Sequence, residues 1–229
     1  MTPRERLVVP LDFPAADEGR RMAERLAGEV GMLKVGLQLF TAAGPGLVRE
    51  LADQGHGIFL DLKFHDIPNT VGGAVAAACE LGVALVDVHA LGGRDALLAA
   101  ARARRGPTRT LAITILTSHA PSWLEEAGIA GPIETAALRL ARLAREAGID
   151  GVVASPREVA AIREACGPGF LIVAPGIRPA GSDSDDQART ATPRDAIEAG
   201  ADYVVVGRPI TRAADPAAAA RRIADEIGG

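Results

Sequence analysis

Residues 61–70, DLKFHDIPNT, bring several ionisable side chains together within one short stretch. If this stretch is a β-strand, its period of two places Asp61, Lys63 and His65 on one face and the intervening apolar residues on the other. Asp66 then falls in the loop that follows. A lysine flanked by two carboxylates is held protonated and oriented, which suits a general acid that delivers a proton to a carbanion. A purely structural layer of salt bridges is the alternative interpretation.

The scarcity of lysine points to the same stretch. Of the 25 basic residues only two are lysines, Lys34 and Lys63, and the other 23 are arginines. Arginine replaces lysine on most solvated surfaces, but not where a compact ammonium or a transferable proton is needed. Lys34 lies in another apolar run, and if that run is the neighbouring strand it can reach Asp61. The two lysines are therefore predicted to share one functional site.

Eight aliphatic or β-branched runs alternate with Ala/Leu/Arg/Glu stretches of helical spacing, such as 134–147 and 156–165. Their continuous hydrophobicity is typical of parallel strands buried on both faces. Eight β-then-α units in 229 residues predict a single-domain (β/α)8 TIM barrel over residues 1–229. An open doubly wound sheet is the alternative, but no Gly-x-Gly-x-x-Gly follows the first run. Pro10 predicts a strand end or bulge. The runs are 7–13, 32–40, 57–64, 85–91, 110–116, 150–155, 170–177 and 203–208.

The seventh and eighth runs end in residues suited to binding an anion. The seventh ends in Pro-Gly-Ile-Arg at 175–178, and the eighth in Gly207 and Arg208. TIM barrels often bind phosphate with the loops after these two strands, where glycine admits backbone N–H groups and arginine supplies a bidentate fork. Residues 179–187 are rich in Gly, Ser and Asp and lack periodicity, so we predict a lid there.

Composition excludes several classes of protein. The net charge of −4 and the pI near 5.6 leave no excess of basic residues to neutralise a nucleic-acid backbone. No run approaches the roughly 18 apolar residues of a membrane span. The N-terminal residues lack the architecture of a signal peptide, so we expect a cytoplasmic protein.

Residues 61–70 resemble the active-site signature of the orotidine 5′-phosphate decarboxylase family, D-x-K-x-x-D on the third strand. The resemblance implies decarboxylation of orotidine 5′-monophosphate to uridine 5′-monophosphate and CO2. It also implies that no metal or cofactor takes part, and that two copies form a homodimer with shared active sites. Further motifs match in order along the chain: L-D-F at 11–13, K-V-G at 34–36, H-A at 89–90, L-T-S at 116–118, A-P-G-I-R at 174–178 and V-G-R at 206–208.

The resemblance also implies a role for individual residues. Lys63 donates the proton to the ring carbon that loses CO2, and Asp61 lies against the substrate carboxylate. Lys34 bridges Asp61 to the ribose hydroxyls, while Asp66 and Thr70 come from the partner subunit. The remaining implied contacts are Asp12 for the ribose, Thr117 and Ser118 for the pyrimidine, Gln187 for the phosphate and pyrimidine, and Arg178, Gly207 and Arg208 for the phosphate.

Two other functions remain open from the sequence. A magnesium-dependent sugar-phosphate decarboxylase or aldolase-type synthase of the same superfamily shares the D-x-K-x-x-D motif, but Lys34 before Val-Gly and the I-P-N-T continuation favour the nucleotide enzyme. A barrel that only binds a nucleotide or phosphate is the second. The complete set of Lys34, Asp61, Lys63 and Asp66 argues against a mere binder.

Overall fold

The computed structural model describes residues 1–179 and 191–229, and in it eight parallel strands close into a barrel in sequence order. The predicted TIM barrel is therefore confirmed, and each predicted run overlaps one strand. The strands are β1 Leu7–Pro10, β2 Met32–Gly36, β3 Ile58–Phe64, β4 Leu85–His89, β5 Arg109–Ile113, β6 Gly151–Val153, β7 Leu171–Ala174 and β8 Tyr203–Val205.

Helices alternate with the strands around the barrel. They are α1 Ala16–Leu26, α2 Leu37–Asp53, α3 Pro68–Cys79, α4 Gly93–Ala103, α5 Pro121–Glu126, α6 Ile133–Glu146, α7 Val159–Cys166, α8 Pro193–Glu198, α9 Arg208–Thr211 and α10 Pro216–Gly228. Helix α2 is interrupted at Gly44, which has a φ of 70° and lies directly before Pro45. None of the helices in the described ranges is long and apolar enough to cross a membrane. The cytoplasmic location stays a prediction.

Apart from β3, which ends with its run at Phe64, the strands end before the predicted runs do, because those runs continue past the carboxyl end of the strand. Strand β1 ends at Pro10, which lacks the N–H that would continue the ladder, as predicted. The predicted helix over 134–147 matches α6 to within one residue at each end. Residues 156–165 begin as a 3-10 turn, Pro156–Glu158, and continue as α7.

Two apolar layers hold the barrel together. One fills its interior and takes one side chain from each of seven strands: Val8, Met32, Phe59, Leu85, Leu111, Val173 and Val205. The alternate residues of the same strands, such as Leu33 and Leu60, face outward and pack under the helices. Complete burial of a side chain of this size stabilises the fold by about 1.5–3 kcal/mol.

The interior layer also determines where the polar side chains lie. Because side chains alternate along a strand, the residue two positions after an interior residue is interior as well, one layer nearer the carboxyl end. Lys34 follows Met32 in this way, Asp61 follows Phe59 and Asp87 follows Leu85. The apolar layer inside the barrel is thus covered by a layer of charged side chains. These lie at the carboxyl end of the strands, where TIM-barrel enzymes carry their active sites.

Candidate active site

Both lysines of the chain bind the same carboxylate. Lys34 Nζ lies 2.9 Å from Asp61 Oδ2, and Lys63 Nζ is hydrogen bonded to Asp61 Oδ1. Lys34 also lies 3.5 Å from Asp12 Oδ1 at the more exposed edge of the cluster. The structure thus brings together three members of the predicted network, Lys34, Asp61 and Lys63, with Asp12 beside them. Gly36 leaves room for it, since a Cβ there would lie 3.1 Å from Lys34 Nζ.

The ion pairs fix the charge of Asp61 and Lys34. Burial raises the pKa of Asp61, but Lys34, a hydrogen bond with Asp87 and Lys63 together outweigh it, so the pKa lies well below its ordinary value. Burial lowers the pKa of Lys34, but Asp61 and Asp12 outweigh it and the pKa is raised. Both groups are therefore ionised at neutral pH.

The backbone of Lys63 is distorted. Its φ of 51° lies in the left-handed region, the only such value at a non-glycine residue within 1–179 and 191–229. A lysine pays roughly 1–2 kcal/mol for this conformation. The pairing of β3 with β4 shifts register between Leu60 and Phe64, and the Lys63 N–H donates instead to Asp87 Oδ1 at 2.7 Å. The lysine side chain therefore leaves the strand from a bulge, a position often found next to active sites.

Two adjoining cavities open beside the charged cluster. The smaller, of about 130 Å³, is mostly apolar and is lined by Phe59, Ile113, Ile115 and Val153 together with Lys63 and Thr117. The larger, of about 590 Å³, is lined by Asp12, Pro10, Phe13 and the arginines of the loops after β7 and β8. Lys34 and Asp61 line both cavities. The charged cluster thus lies where an apolar pocket meets a polar one.

The larger cavity brings together the residues predicted to bind an anion. Arg178, which follows β7, and Gly207 and Arg208, which follow β8, all line it. Arg212, one helical turn after Arg208, lines it too and was missed in the sequence, although its i+4 spacing from Arg208 was visible there. Three guanidinium groups around one cavity of this size make it suited to a phosphate.

Other predicted site residues lie elsewhere. Asp66, Thr70 and Ser118 are exposed, and none of them lines either cavity. Asp66 Oδ1 accepts the N–H of Ile67 at 2.6 Å, and within the described residues no ion pair joins it to a lysine. The structure of one chain therefore does not bring Asp66 into the cluster. Gln187 and most of the predicted lid, 179–187, lie outside the described residues.

Two histidines stack at the carboxyl ends of β3 and β4. The rings of His65 and His89 lie 5.2 Å apart, centroid to centroid, at 24°. Burial, together with the charges of His65, Lys63 and His119, lowers the pKa of His89 to about 4. His89 is therefore neutral at pH 7. Its Nδ1 accepts the N–H of Leu91, which supports a structural role for this residue.

Asp87 is the site-forming residue to which sequence reasoning gave no role. A charged residue within the apolar run 85–91 was a visible signal, since an unpaired charge there is costly. Its contact with the Lys63 N–H, however, depends on the bulge in β3. No group of three or more His, Cys, Asp or Glu in the described part of the chain could hold a metal ion. The predicted independence of metals and cofactors stays a prediction.

The fold and the site together define a class of protein. A closed (β/α)8 barrel with a lysine–aspartate cluster and an arginine-lined cavity at the carboxyl ends of its strands is the architecture of a TIM-barrel enzyme acting on a phosphorylated ligand. Residues 5–223 match the model of the orotidine 5′-phosphate decarboxylase / HUMPS family, and the chain belongs to that family.

Individual relatives agree with this assignment. A protein of Halorhodospira halophila named orotidine 5′-phosphate decarboxylase is 58% identical over 225 residues, covering 97% of this chain and 95% of the relative. One of Anaeromyxobacter sp. (strain K), with the same name, is 55% identical and covers 98% and 99%. The crystal structure of orotidine 5′-phosphate decarboxylase from Lactobacillus acidophilus superposes with a TM-score of 0.87 at 38% identity, covering 97% of this chain and 99% of that one.

Proposed function

We propose that this chain decarboxylates orotidine 5′-monophosphate to uridine 5′-monophosphate and CO2, without metal or cofactor, with Lys63 as the proton donor. The observation that carries the proposal is the position of the Lys34–Asp61–Lys63 cluster between an apolar cavity and an arginine-lined one. A pyrimidine nucleotide has the same division, because a flat ring at one end is joined through a ribose to a phosphate.

The cavities support one orientation of the nucleotide. The ring enters the smaller cavity, where Thr117 offers a hydroxyl among apolar side chains. The phosphate lies in the larger cavity against Arg208 and Arg178, and the ribose hydroxyls face Asp12 and Lys34. In this orientation C6 of the ring, which carries the carboxylate, faces Asp61 and Lys63.

The chemical step then needs one proton and no electron carrier. The bond between C6 and the carboxylate carbon breaks, CO2 leaves, and the electron pair of that bond remains on C6 as a vinyl carbanion. Lys63 Nζ gives one proton to C6, which forms the C–H bond of the product. The neutral amine of Lys63 regains its proton from solvent after the product leaves.

Electrostatics supplies the rate enhancement in this proposal. The carbanion has no adjacent π-system into which its charge can spread, so it depends on the preorganised ammonium groups. Lys34 and Lys63 both bind Asp61, which holds their two ammonium groups in place on the side of the cavities where the carbanion forms. Binding that is stronger to the carbanion than to the substrate accelerates the reaction.

We infer further that a second copy of the chain completes the site. The large apolar side chains of Leu37, Ile67 and Leu91 are exposed, and each follows one of the neighbouring strands β2, β3 and β4 at the carboxyl end of the barrel. Asp66 and Thr70 lie beside Ile67 on the same exposed surface. A homodimer formed through this surface covers the apolar side chains and brings the partner's Asp66 towards the cluster. Sedimentation of the protein as a dimer, and of the Ile67→Asp variant as a monomer, is the expected result.

The decisive experiment for the activity is the change in ultraviolet absorbance of orotidine 5′-monophosphate on addition of the purified protein. We expect conversion to uridine 5′-monophosphate at an unchanged rate after treatment with EDTA. Turnover of a sugar phosphate only with added Mg²⁺ would instead indicate the sister activity within the same family. Binding of the nucleotide without turnover would indicate a binding protein.

A further inference from the structure

Asp87 is a buried acid behind the catalytic cluster. It lies in the middle of β4, has no exposed surface and lines neither cavity. No substrate placed in the cavities can touch it. Its contacts are nevertheless with the two central members of the cluster, Lys63 and Asp61.

One carboxyl oxygen of Asp87 holds the distorted backbone of Lys63. The bulge in β3 removes the Lys63 N–H from the ladder, and Oδ1 of Asp87 accepts it at 2.7 Å. Without this acceptor the Lys63 N–H would lose the partner that replaces its bond in the ladder. Asp87 therefore stabilises the left-handed conformation from which the ammonium of Lys63 reaches Asp61.

The other oxygen of Asp87, Oδ2, is buried and has no donor among the described residues. The Asp87 side chain instead lies beside the Asp61 carboxylate, because Phe59 pairs with Leu85 and each aspartate follows two positions later on the interior face. Two carboxylates in contact inside a protein cannot both be ionised, so one of them holds a proton. Lys34 and Lys63 keep Asp61 ionised, which leaves the proton on Asp87.

We propose that Asp87 is a positioning residue that works as a neutral carboxylic acid, accepting the backbone N–H of Lys63 and donating its own proton to Asp61. Burial and the neighbouring Asp61 raise the pKa of Asp87 well above its ordinary value, which agrees with this protonation state. The kinetic consequences rest on the decarboxylation proposed above, whereas the protonation state does not.

A neutral Asp87 preserves the charge that the reaction needs. With Asp87 protonated, the two ammonium groups of Lys34 and Lys63 are balanced only by the carboxylates that already bind them. An ionised Asp87 would add a further negative charge behind the carbanion, and Lys63 would be drawn between two carboxylates. The competing interpretation is that Asp87 is ionised and adds a further negative charge to the network. The two interpretations predict different effects of Asp87→Asn, because an amide can replace a neutral carboxylic acid but not a carboxylate.

The test compares Asp87→Asn with Asp87→Leu. Asparagine keeps an oxygen for the Lys63 N–H and an N–H donor for Asp61, whereas leucine keeps only the shape. We expect Asp87→Asn to retain kcat within about fivefold with an unchanged pH profile, and Asp87→Leu to lose about 100-fold or more in kcat with little change in KM, as expected for a misplaced catalytic group.

Asp202 provides a matched control. Its Oδ2 accepts the N–H of Ile172 on β7 at 2.8 Å, a strand contact of the same kind, and Asp202 is not among the residues around either cavity. Asp202→Leu is expected to lower the melting temperature without lowering kcat of the folded enzyme. A similar loss of kcat in both leucine variants would mean that Asp87 acts through general stability, which would overturn the proposal.

An infrared difference spectrum of the wild type against Asp87→Asn measures the proton directly and needs no substrate. We expect the carbonyl band of a protonated carboxylic acid at neutral pH in the wild type only. Absence of this band, or a loss of kcat in Asp87→Asn as large as in Asp87→Leu, overturns the proposal. If Asp87→Leu does not fold, the asparagine variant and the band decide. A wild type that shows the band but does not turn over the nucleotide would refute the proposed activity alone.

Discussion

Lys34 Nζ lies 2.9 Å from Asp61 Oδ2 while Lys63 Nζ binds the other oxygen of the same carboxylate, so one aspartate joins the two lysines of the chain. The lysines come from β2 and β3, and Gly36 of β2 pairs directly with Asp61. An arginine in place of either lysine would bring a planar, bulkier and more weakly acidic group. This relationship explains why lysine is retained at these two positions in an arginine-rich chain.

Substitution of Lys63 separates catalysis from binding. We expect Lys63→Ala to lose at least about 10³-fold in kcat, because the variant loses both the proton donor and one ammonium of the cluster. Lys63→Arg should fail to a similar extent, since a guanidinium is a poor acid at neutral pH. Steady-state absorbance assays measure the turnover, and titration calorimetry measures the binding of uridine 5′-monophosphate.

Product binding is the control for Lys63. The phosphate and ribose contacts are intact in Lys63→Ala, so we expect the Kd for uridine 5′-monophosphate to change by less than about tenfold. Turnover close to the wild-type rate in either variant would contradict the assignment of Lys63 as proton donor.

The phosphate contact is tested by Arg208→Ala. A charge-assisted hydrogen bond contributes about 1.5–3 kcal/mol, so we expect kcat/KM for the nucleotide to fall by roughly 10- to 150-fold. The nucleoside orotidine has no phosphate, and its kcat/KM should be unaffected by the substitution. Arg221, which pairs with Glu29 at the surface, offers the control variant Arg221→Ala. An equal loss of kcat/KM for the nucleotide and the nucleoside would show that Arg208 does not contact the phosphate.

Much of the site could be predicted because it follows from strand periodicity. Alternation placed Asp61 on the interior face, and the barrel order placed Lys34 beside it, whereas Lys63 reaches Asp61 from the bulge. The loops after β7 and β8 brought Arg178 and Arg208 to one cavity for the same reason. These relationships depend only on which strand a residue occupies and on which face it lies.

The role of Asp87 could not be predicted in this way. Its contact with Lys63 requires a shift of register and a φ of 51° at a lysine, and neither leaves a signature in the pattern of apolar residues. Its contact with Asp61 requires a proton shared between two carboxyl groups. That proton is on Asp87 because Lys34 and Lys63 keep Asp61 ionised. The role of Asp66 cannot be predicted from periodicity for another reason, because the cluster that it is proposed to join belongs to a second chain.

Mixing two inactive variants tests the shared site. Lys63→Ala chains and Asp66→Ala chains are each expected to form homodimers of low activity. In a mixed dimer the Asp66→Ala chain supplies Lys63 and the Lys63→Ala chain supplies Asp66 to the same site. That site has both residues, so one site of the two should recover wild-type turnover. Two differently tagged chains, refolded together and purified through both tags, provide the mixed dimer. Activity no higher than that of the parent homodimers would show that Lys63 and Asp66 act in the same chain.

The proton on Asp87 also predicts a dependence of stability on pH. The pKa of Asp87 is raised in the folded protein, so its contribution to stability is complete below the ordinary value near 4 and is lost as pH rises towards the folded pKa. Asp87→Asn has no proton to lose. The difference in the free energy of unfolding, Asp87→Asn minus wild type, should therefore increase with pH, by up to about 1.4 kcal/mol per unit.

The charged groups around Asp87 set the window for this measurement. Asp61, with its lowered pKa, and Lys34, with its raised pKa, keep their charges from about pH 4.5 to about pH 8, and Lys63 contacts Asp87 through its backbone N–H. Urea denaturation of the wild type and the variant across that range gives the two curves. The difference in the free energy of unfolding, Asp87→Leu minus wild type, should also increase with pH, because this variant too lacks the titrating group. Its absolute stability should be lower than that of Asp87→Asn. A difference that stays constant with pH would mean that Asp87 has the same charge in the folded and unfolded chains.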